Sequence, residues 1–262
     1  MTDEPVECQG KLRYPIKGAI EFQDVNFAYP QRPEVPILKD VSFRVASGEC
    51  VAIVGSSGSG KSTIASLLQR LYEPTGGAIN LDRNRLSSAE VVWLRDHVAI
   101  VSQHAQLFDA SVADNISYGS SVVSIGEIER AAKEANVHDF IMSLPKGYDT
   151  LVGENASLIS GGQAQRIQIA RALVRTASIL ILDECTSALD STNQDIVMKT
   201  IMDVKRGRTT IIITHSLPIM KMCERIVVLD QGVVKEDGSF DSLMSRRGHF
   251  FQLTNAGEWA GE

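Results

Sequence analysis

No apolar run in this sequence approaches the ~20 residues that a bilayer-spanning helix needs. The longest are short stretches such as Ile179-Leu180-Ile181-Leu182. Cysteine is scarce: Cys8, Cys50, Cys185 and Cys223 form no C-x-x-C pair and have no histidine at zinc spacing. That argues against a disulfide scaffold or a structural zinc site, and a reducing, cytosolic compartment is the expectation. An excess of positive charge is also missing. The chain carries 26 Lys and Arg against 32 Asp and Glu, a formal charge of −6, whereas a domain built to hold nucleic acid is normally basic. Met1 to Lys11 are polar and acidic, without the pattern of a secretory signal or transit peptide. No repeat of about 20–50 residues is visible. His97, His104, His138 and His249 share no ligand spacing and receive no role.

What is present is enough apolar matter for a core, 44% of 262 residues, in a chain of one large α/β domain or two small lobes. Residues 1–17, with Pro5 and Pro15, read as a tail or linker. Strand-like patterns follow at Ile20, Phe22, Val25 and Phe27 and at Val41, Phe43 and Val45, separated by a loop around Gln31–Pro36. They predict an antiparallel sheet leading into a central strand. Tyr29, at the end of the first pattern, could stack on a purine ring or simply pack. Short strands are expected at Ala78–Leu81 and His97–Ser102. From about Ala105 to Arg175 helical signals dominate, including the capping box Ser124-x-x-Glu127 ahead of Ile128, Ala131, Ala132 and Ala135. An α/β rhythm then returns: a strand at Ser178–Leu182, a helix over Ser191–Val204, strands at Thr209–Thr214 and Ile226–Leu229, a Gln231-Gly232 hairpin turn, and a last helix at Phe240–Ser245.

The stretch Gly55-Ser56-Ser57-Gly58-Ser59-Gly60-Lys61-Ser62-Thr63 fits G-x-x-x-x-G-K-[ST]. The apolar strand Cys50–Val54 precedes it, and Ile64, Leu67, Leu68 and Leu71 recur behind it at helical spacing, so a helix opens at about Lys61. Glycines let the backbone curl until several N–H groups point into one concavity. The helix N-terminus adds unpaired donors and a partial positive charge. Lys61 would reach the β- and γ-phosphates of a nucleoside triphosphate, and the Ser62 hydroxyl would ligate Mg²⁺.

Asp183 and Glu184 close the strand begun at Ile179. An acid there can hold Mg²⁺ through water, and the next one can polarise a water for in-line attack. Ser160-Gly161-Gly162-Gln163 precedes a helical run, Gln165 to Val174, with Ser160 as a natural N-cap and two glycines leaving the helix start bare. This is a second phosphate-suited helix terminus, and one nucleotide does not obviously need both. The economical arrangement offers it to another subunit's nucleotide.

With these residues in place, the chain resembles the nucleotide-binding domain of an ATP-binding cassette (ABC) transporter, from about Gly18 to about Leu253. The resemblance identifies Gly55–Thr63 as Walker A, Gln103 as the Q-loop glutamine and Ile159–Gln163 as the family signature. Ile179–Glu184 is Walker B with its catalytic glutamate, Ser187-Ala188-Leu189-Asp190 the D-loop, and His215 the switch histidine. Tyr29-Pro30-x-Arg32-Pro33 and Val152-Gly153-Glu154 are similar to exporters of the multidrug-resistance, P-glycoprotein type, and the chain stops as the C-terminal cassette of a full-length transporter would. Departures are Ile159 for leucine, His104-Ala105 after Gln103, Asn155-Ala156 before the signature, Arg83 in a turn, and Cys185, which could confer thiol sensitivity.

The resemblance implies a P-loop NTPase core of mixed, mostly parallel sheet, an N-terminal antiparallel β subdomain, and a helical subdomain inserted at about 105–175. The domain would span 18–255, with 256–262 as a tail. The implied cofactors are ATP and Mg²⁺. Tyr29, Gly55 to Thr63 and, from a second cassette, Ser160, Gly161, Gly162 and Gln163 would bind nucleotide. Ser62, Gln103 and Asp183 would hold the metal, and Glu184, His215, Lys61 and Gln103 would act in hydrolysis. The implied partners are a second cassette, head to tail, and transmembrane domains; nucleic acid is not among them. The expected place is the cytoplasmic face of a membrane. A soluble ABC-type ATPase of DNA repair or translation and a non-hydrolysing ATP sensor are the alternatives.

Overall fold

The computed structural model describes residues 10–120, 123–152, 159–175, 177–187 and 189–255. β1 (Ile20–Ala28) and β2 (Pro36–Val45) pair antiparallel. Their buried residues step by three once in each strand, Phe22 to Val25 and Leu38 to Val41. Asp24 and Asp40 absorb the extra residue in left-handed backbone, φ 47° and 49°, and the register shifts there as in a β-bulge. Asn26 ties the two together, donating to the Asp40 carboxylate at 2.7 Å and to the Asp24 carbonyl at 3.1 Å.

β3 (Cys50–Val54) leads through the glycine-rich loop into α1 (Lys61–Leu68). The helix opens where its sequence signals place it but ends at Leu68, so Leu71 lies beyond it and is exposed. β4 (Gly76–Leu81) and β5 (Asn84–Arg85) complete a four-stranded antiparallel sheet in the order β2-β1-β4-β5.

α2 (Val91–His97) precedes β6 (Val98–Val101). His97 therefore ends a helix rather than beginning the strand expected from His97 to Ser102. The helix starts because the Glu90 carboxylate accepts from Trp93 N–H, with Val91 and Leu94 buried. Part of the segment expected to be a tail is docked here. Leu12 N–H donates to Ser88 O and Leu12 O accepts from Glu90 N–H, both at 3.0 Å. The Tyr14 ring meets Trp93 edge-on at 5.0 Å.

The helical stretch follows as α3 (Val112–Ser117), α4 (Ile125–Glu134), α5 (His138–Ser143) and α6 (Gly161–Val174). The Ser124–Glu127 capping box forms at the start of α4, and Ile128, Ala131, Ala132 and Ala135 are buried behind it. The chain then alternates through β7 (Ile179–Asp183), α7 (Ser191–Val204), β8 (Thr209–Ile213), α8 (Leu217–Met222), β9 (Arg225–Asp230), β10 (Val233–Gly238), α9 (Phe240–Arg246) and α10 (His249–Asn255). Gln231 (φ 50°) and Gly232 (φ 79°) turn β9 into β10, the geometry a two-residue hairpin demands. α10, not read from the sequence, buries Phe250 and Leu253.

The second sheet runs β10-β9-β3-β8-β7-β6, parallel except for the β10 edge. Its central strands are buried and mostly apolar on both faces, Thr209 and Thr210 at the start of β8 being buried exceptions, because both faces are covered. Cys50, Ala52, Val54, Leu180, Leu182, Ile212, Ile226 and Val228 face the helical stretch, α7 and α8 in one cluster. Val51, Ile53, Ile179, Ile181, Ile211, Ile213, Val227 and Leu229 face α1 and the antiparallel sheet in another. The helical stretch shares its core with the sheet. The observed architecture is the mixed α/β fold read from the sequence.

Candidate nucleotide site

All the chemistry gathers at the carboxyl ends of parallel strands, where such sheets leave an open crevice. Register decides the neighbours. Ile53 lies opposite Ile213 and Val54 opposite Val228, so Gly55 emerges between the ends of β8 and β9. A Cβ on Gly55 would stand 1.9 Å from the Leu229 carbonyl oxygen. Only glycine lets the loop leave so close to the neighbouring strand.

The loop holds polar groups suited to an anion. Gly60, at φ 102°, caps α1 without any side-chain hydrogen bond, which leaves first-turn donors available. Ser59 is 2% exposed and its Oγ has no hydrogen-bond partner, a costly condition unless a ligand supplies an acceptor. Lys61, 6% exposed, donates from Nζ to the carbonyls of Gly55 and Ser56, each at 2.9 Å. Burial pulls its ammonium below the ordinary lysine range, against the opposing pull of Glu184 and Asp183.

The acids lie where strand pairing brings them. Ser62 Oγ is 3.3 Å from Asp183 Oδ1. Burial raises the Asp183 carboxyl above its ordinary range, with Ser62 and Lys61 opposing. Glu184 turns out of β7 with φ 48°, its N–H donating to Ile213 O at 2.9 Å. That turn brings its carboxylate to His215 Nε2, 2.6 Å away. The hydrogen bond from His215 holds Glu184 below the usual carboxylate range. Neighbouring carboxyls pushed apart in this way take different tasks: Glu184 stays ionised as an acceptor, while Asp183 gains from a cation.

The donor set suits that cation. Ser62 and Asp183 offer hard oxygens, and among the described residues no cluster of three or more His, Cys, Asp or Glu exists to cage a metal. Mg²⁺ binds in this manner, keeping waters and taking few protein ligands. Gln103 is not in that set here; its Nε2 donates to Ser187 Oγ at 3.2 Å, and Ser187 Oγ donates to Glu184 O at 2.9 Å. Tyr29 packs edge-on against Phe27 and Tyr72 and shares a 3.0 Å hydrogen bond with Thr63 Oγ1.

The second glycine-led terminus is built differently. Ser160 Oγ accepts from Gln163 N–H at 3.3 Å and the Gln163 amide oxygen accepts from Ser160 N–H at 2.7 Å, a complete capping box. Ser160 and Gly161 are exposed, but Gly162 is buried, and a Cβ there would meet Asn193 Oδ1 at 2.3 Å. The helix start is thus not bare as its glycines suggest. Gly162 is needed to let α7 approach, and Asn193 is fixed by Asp190 at 2.6 Å. Cys185 is buried, and desolvation pushes its thiol up to about 12, which holds it as the neutral thiol. Gly153, Glu154, Asn155, Ala156 and Ala188 lie outside the described residues.

Sequence reasoning missed Asp230. It ends β9 as Asp183 ends β7, and its Oδ1 accepts from Ser56 Oγ at 3.2 Å, with His249 Nε2 3.6 Å from Oδ2. The signal was available, since Ile226-Val227-Val228-Leu229-Asp230 repeats the pattern of Ile179–Asp183.

A family profile described as ABC transporter matches residues 38–187. The human ATP-binding cassette sub-family B member 5 is 48% identical over 91% of this chain and 19% of its own length. The ATP-dependent lipid A-core flippase of Saccharophagus degradans is 47% identical over 95% of this chain and 42% of its own. Among solved structures, a bacterial Atm1-family ABC exporter with ATP bound superposes with a TM-score of 0.86 at 40% identity, covering 98% of this chain and 44% of that one. The chain spans less than half of each of these proteins.

Proposed function

This chain belongs to the ABC transporter family, and on that premise we propose that it is the ATP-binding and ATP-hydrolysing motor domain of an exporter. The observation that carries the reading is a single juxtaposition. An uncapped helix start with the orphaned Ser59 hydroxyl lies beside Lys61, and Ser62 reaches Asp183 next to the Glu184–His215 pair. The cassette occupies 18–255, with the helical segment at about 105–175 inserted in its core.

Gly55 to Thr63 cradle the phosphates, and Lys61 exchanges the Gly55 and Ser56 carbonyls for phosphate oxygens. Tyr29 presents its ring to adenine. Ser62, Gln103 and Asp183 would hold Mg²⁺, Gln103 leaving Ser187 to do so, and the bound ion would supply charge neutralisation at the phosphates. Glu184, already ionised, accepts the proton of the attacking water. His215 keeps that carboxylate oriented and meets the γ-phosphate. Ser160, Gly161, Gly162 and Gln163 of a second cassette close over the same phosphate. Positioning and charge stabilisation then supply most of the rate.

The partners in this reading are that second cassette and membrane-spanning domains, which hold the motor at the cytoplasmic face of a membrane. No helix among the described residues is long and apolar enough to cross one. The helical segment carries an exposed aromatic pair, Phe108 and Tyr118, stacked at 4.0 Å under Arg171, a surface suited to a partner. The net charge of −6 favours this over a nucleic-acid ATPase.

The test is Mg²⁺-dependent ATP hydrolysis by the intact protein. Glu184→Gln is expected to lower turnover by about 10²–10⁴-fold, the usual share of a general base, while ATP binding persists. Near-parental turnover in that variant would remove Glu184 from the chemistry.

A further inference from the structure

The phosphate site uses none of the cysteines, yet the fold brings two of them together from opposite ends of the chain. Cys50 begins β3 and Cys223 follows α8, and their sulfurs lie 3.7 Å apart within the core. The backbones around them are already clamped. Glu224 N–H donates to Cys50 O at 3.1 Å, and Cys50 N–H donates to the Glu224 carboxylate at 2.5 Å. We propose that Cys50 and Cys223 are a reversible oxidation site, closing to a disulfide under hydroperoxide and reopening with thiol reductant.

The chemistry is asymmetric. The Cys50 thiol is held below the ordinary range, first because Cys223 can donate its S–H to it and then by the positive charge of Lys205. Cys223 is pushed the other way by the same hydrogen bond and by burial. Cys50 is therefore the thiolate that attacks. Its sulfur takes one oxygen from the hydroperoxide, giving a sulfenic acid and releasing hydroxide, or alkoxide from an organic peroxide. The Cys223 sulfur then attacks the Cys50 sulfur and water leaves with the thiol proton, so two thiols lose two electrons and the peroxide gains them. Closing the bond brings the sulfurs from 3.7 Å to about 2.05 Å. Cys185, its thiol pushed up to about 12 by desolvation, stays out of the reaction.

The bond would tie together two segments that matter. β3 runs from Cys50 to Val54, one residue before the phosphate loop, and α8 begins two residues after His215. A disulfide fixes the position of one against the other.

The experiment treats the intact protein with hydrogen peroxide, quenches with N-ethylmaleimide and analyses unreduced peptides by mass spectrometry. The expected product is one cross-linked peptide joining Cys50 to Cys223, two hydrogens lighter than the reduced pair. The count of maleimide-reactive thiols in the denatured protein falls by two with it, and dithiothreitol restores them. Cys50→Ser and Cys223→Ser each abolish the cross-link; Cys50→Ala and Cys223→Ala, checked by thermal melting, serve if a serine is not tolerated. The proposal is overturned if the wild-type pair stays reduced, whether or not another cysteine is oxidised, or if either sulfur ends as a sulfinic acid without the cross-link. The wild-type result decides this whichever variants fold.

Discussion

α1 and α6 both begin at glycine-led turns, and their first turns could hardly be finished more differently. α1 starts at a left-handed Gly60 with no side-chain cap, an orphaned Ser59 hydroxyl and a lysine folded onto its own loop. α6 starts at Ser160 with a closed capping box. The first terminus leaves its donors open to an anion. The second is satisfied alone, and a phosphate arriving there must compete with the Ser160 hydroxyl for the Gln163 N–H. The lesson is that glycine content marks where backbone comes close, and the caps then tell which terminus waits for a ligand.

The contrast breaks most visibly at Lys61. Lys61→Ala removes the charge from the uncapped terminus and is expected to lower ATP turnover by about 10²–10³-fold, read in a steady-state phosphate-release assay. Equal losses from Lys61→Ala and Ser160→Ala in a protein unable to pair its cassettes would erase the distinction.

Glycine substitutions sharpen it. Gly55→Ala sets a methyl 1.9 Å from the Leu229 carbonyl and should destabilise by about 1–3 kcal/mol, as overpacking does. Gly161→Ala meets only Leu189 Cδ2 at 3.6 Å and should stay within about 0.5 kcal/mol. Chemical denaturation of the two variants gives both numbers.

Ser160→Ala opens the α6 box and should cost about 1 kcal/mol in the same measurement. The smallest effect concerns pH. α4 closes its box with Glu127, held below the usual carboxylate range by the Ser124 backbone N–H, then by the Ser124 hydroxyl. α6 uses Gln163, which does not titrate. A depressed folded pKa means that the Glu127 contribution is complete above the ordinary value of 4.5 and is lost as pH falls through the folded one. Hydrogen exchange should therefore quicken on acidification in the first turn of α4 and not in that of α6.

Much of this was legible in the chain. The bulged strands announced themselves in the spacing Ile20, Phe22, Val25, Phe27, and α7 matched its expected span from Ser191 to Val204. Both of those signals are local, one a period and the other a cap. α2 and α10 were not legible, because helices of 7 residues show too little period to outweigh their valines and aromatics. Asp230 escaped notice because an acid at a strand end is common, and only the β3–β9 register puts it beside Ser56.

The sequence by itself determined the phosphate loop, the acids after Leu182 and the alternation of strand and helix, because each is written in residues close along the chain. Only the tertiary structure decided that His215 touches Glu184, that Gly162 serves the approach of Asn193, and that Cys50 lies against Cys223. Those meetings depend on the register of parallel strands joined by long crossovers, and no local pattern encodes which residue will stand opposite which.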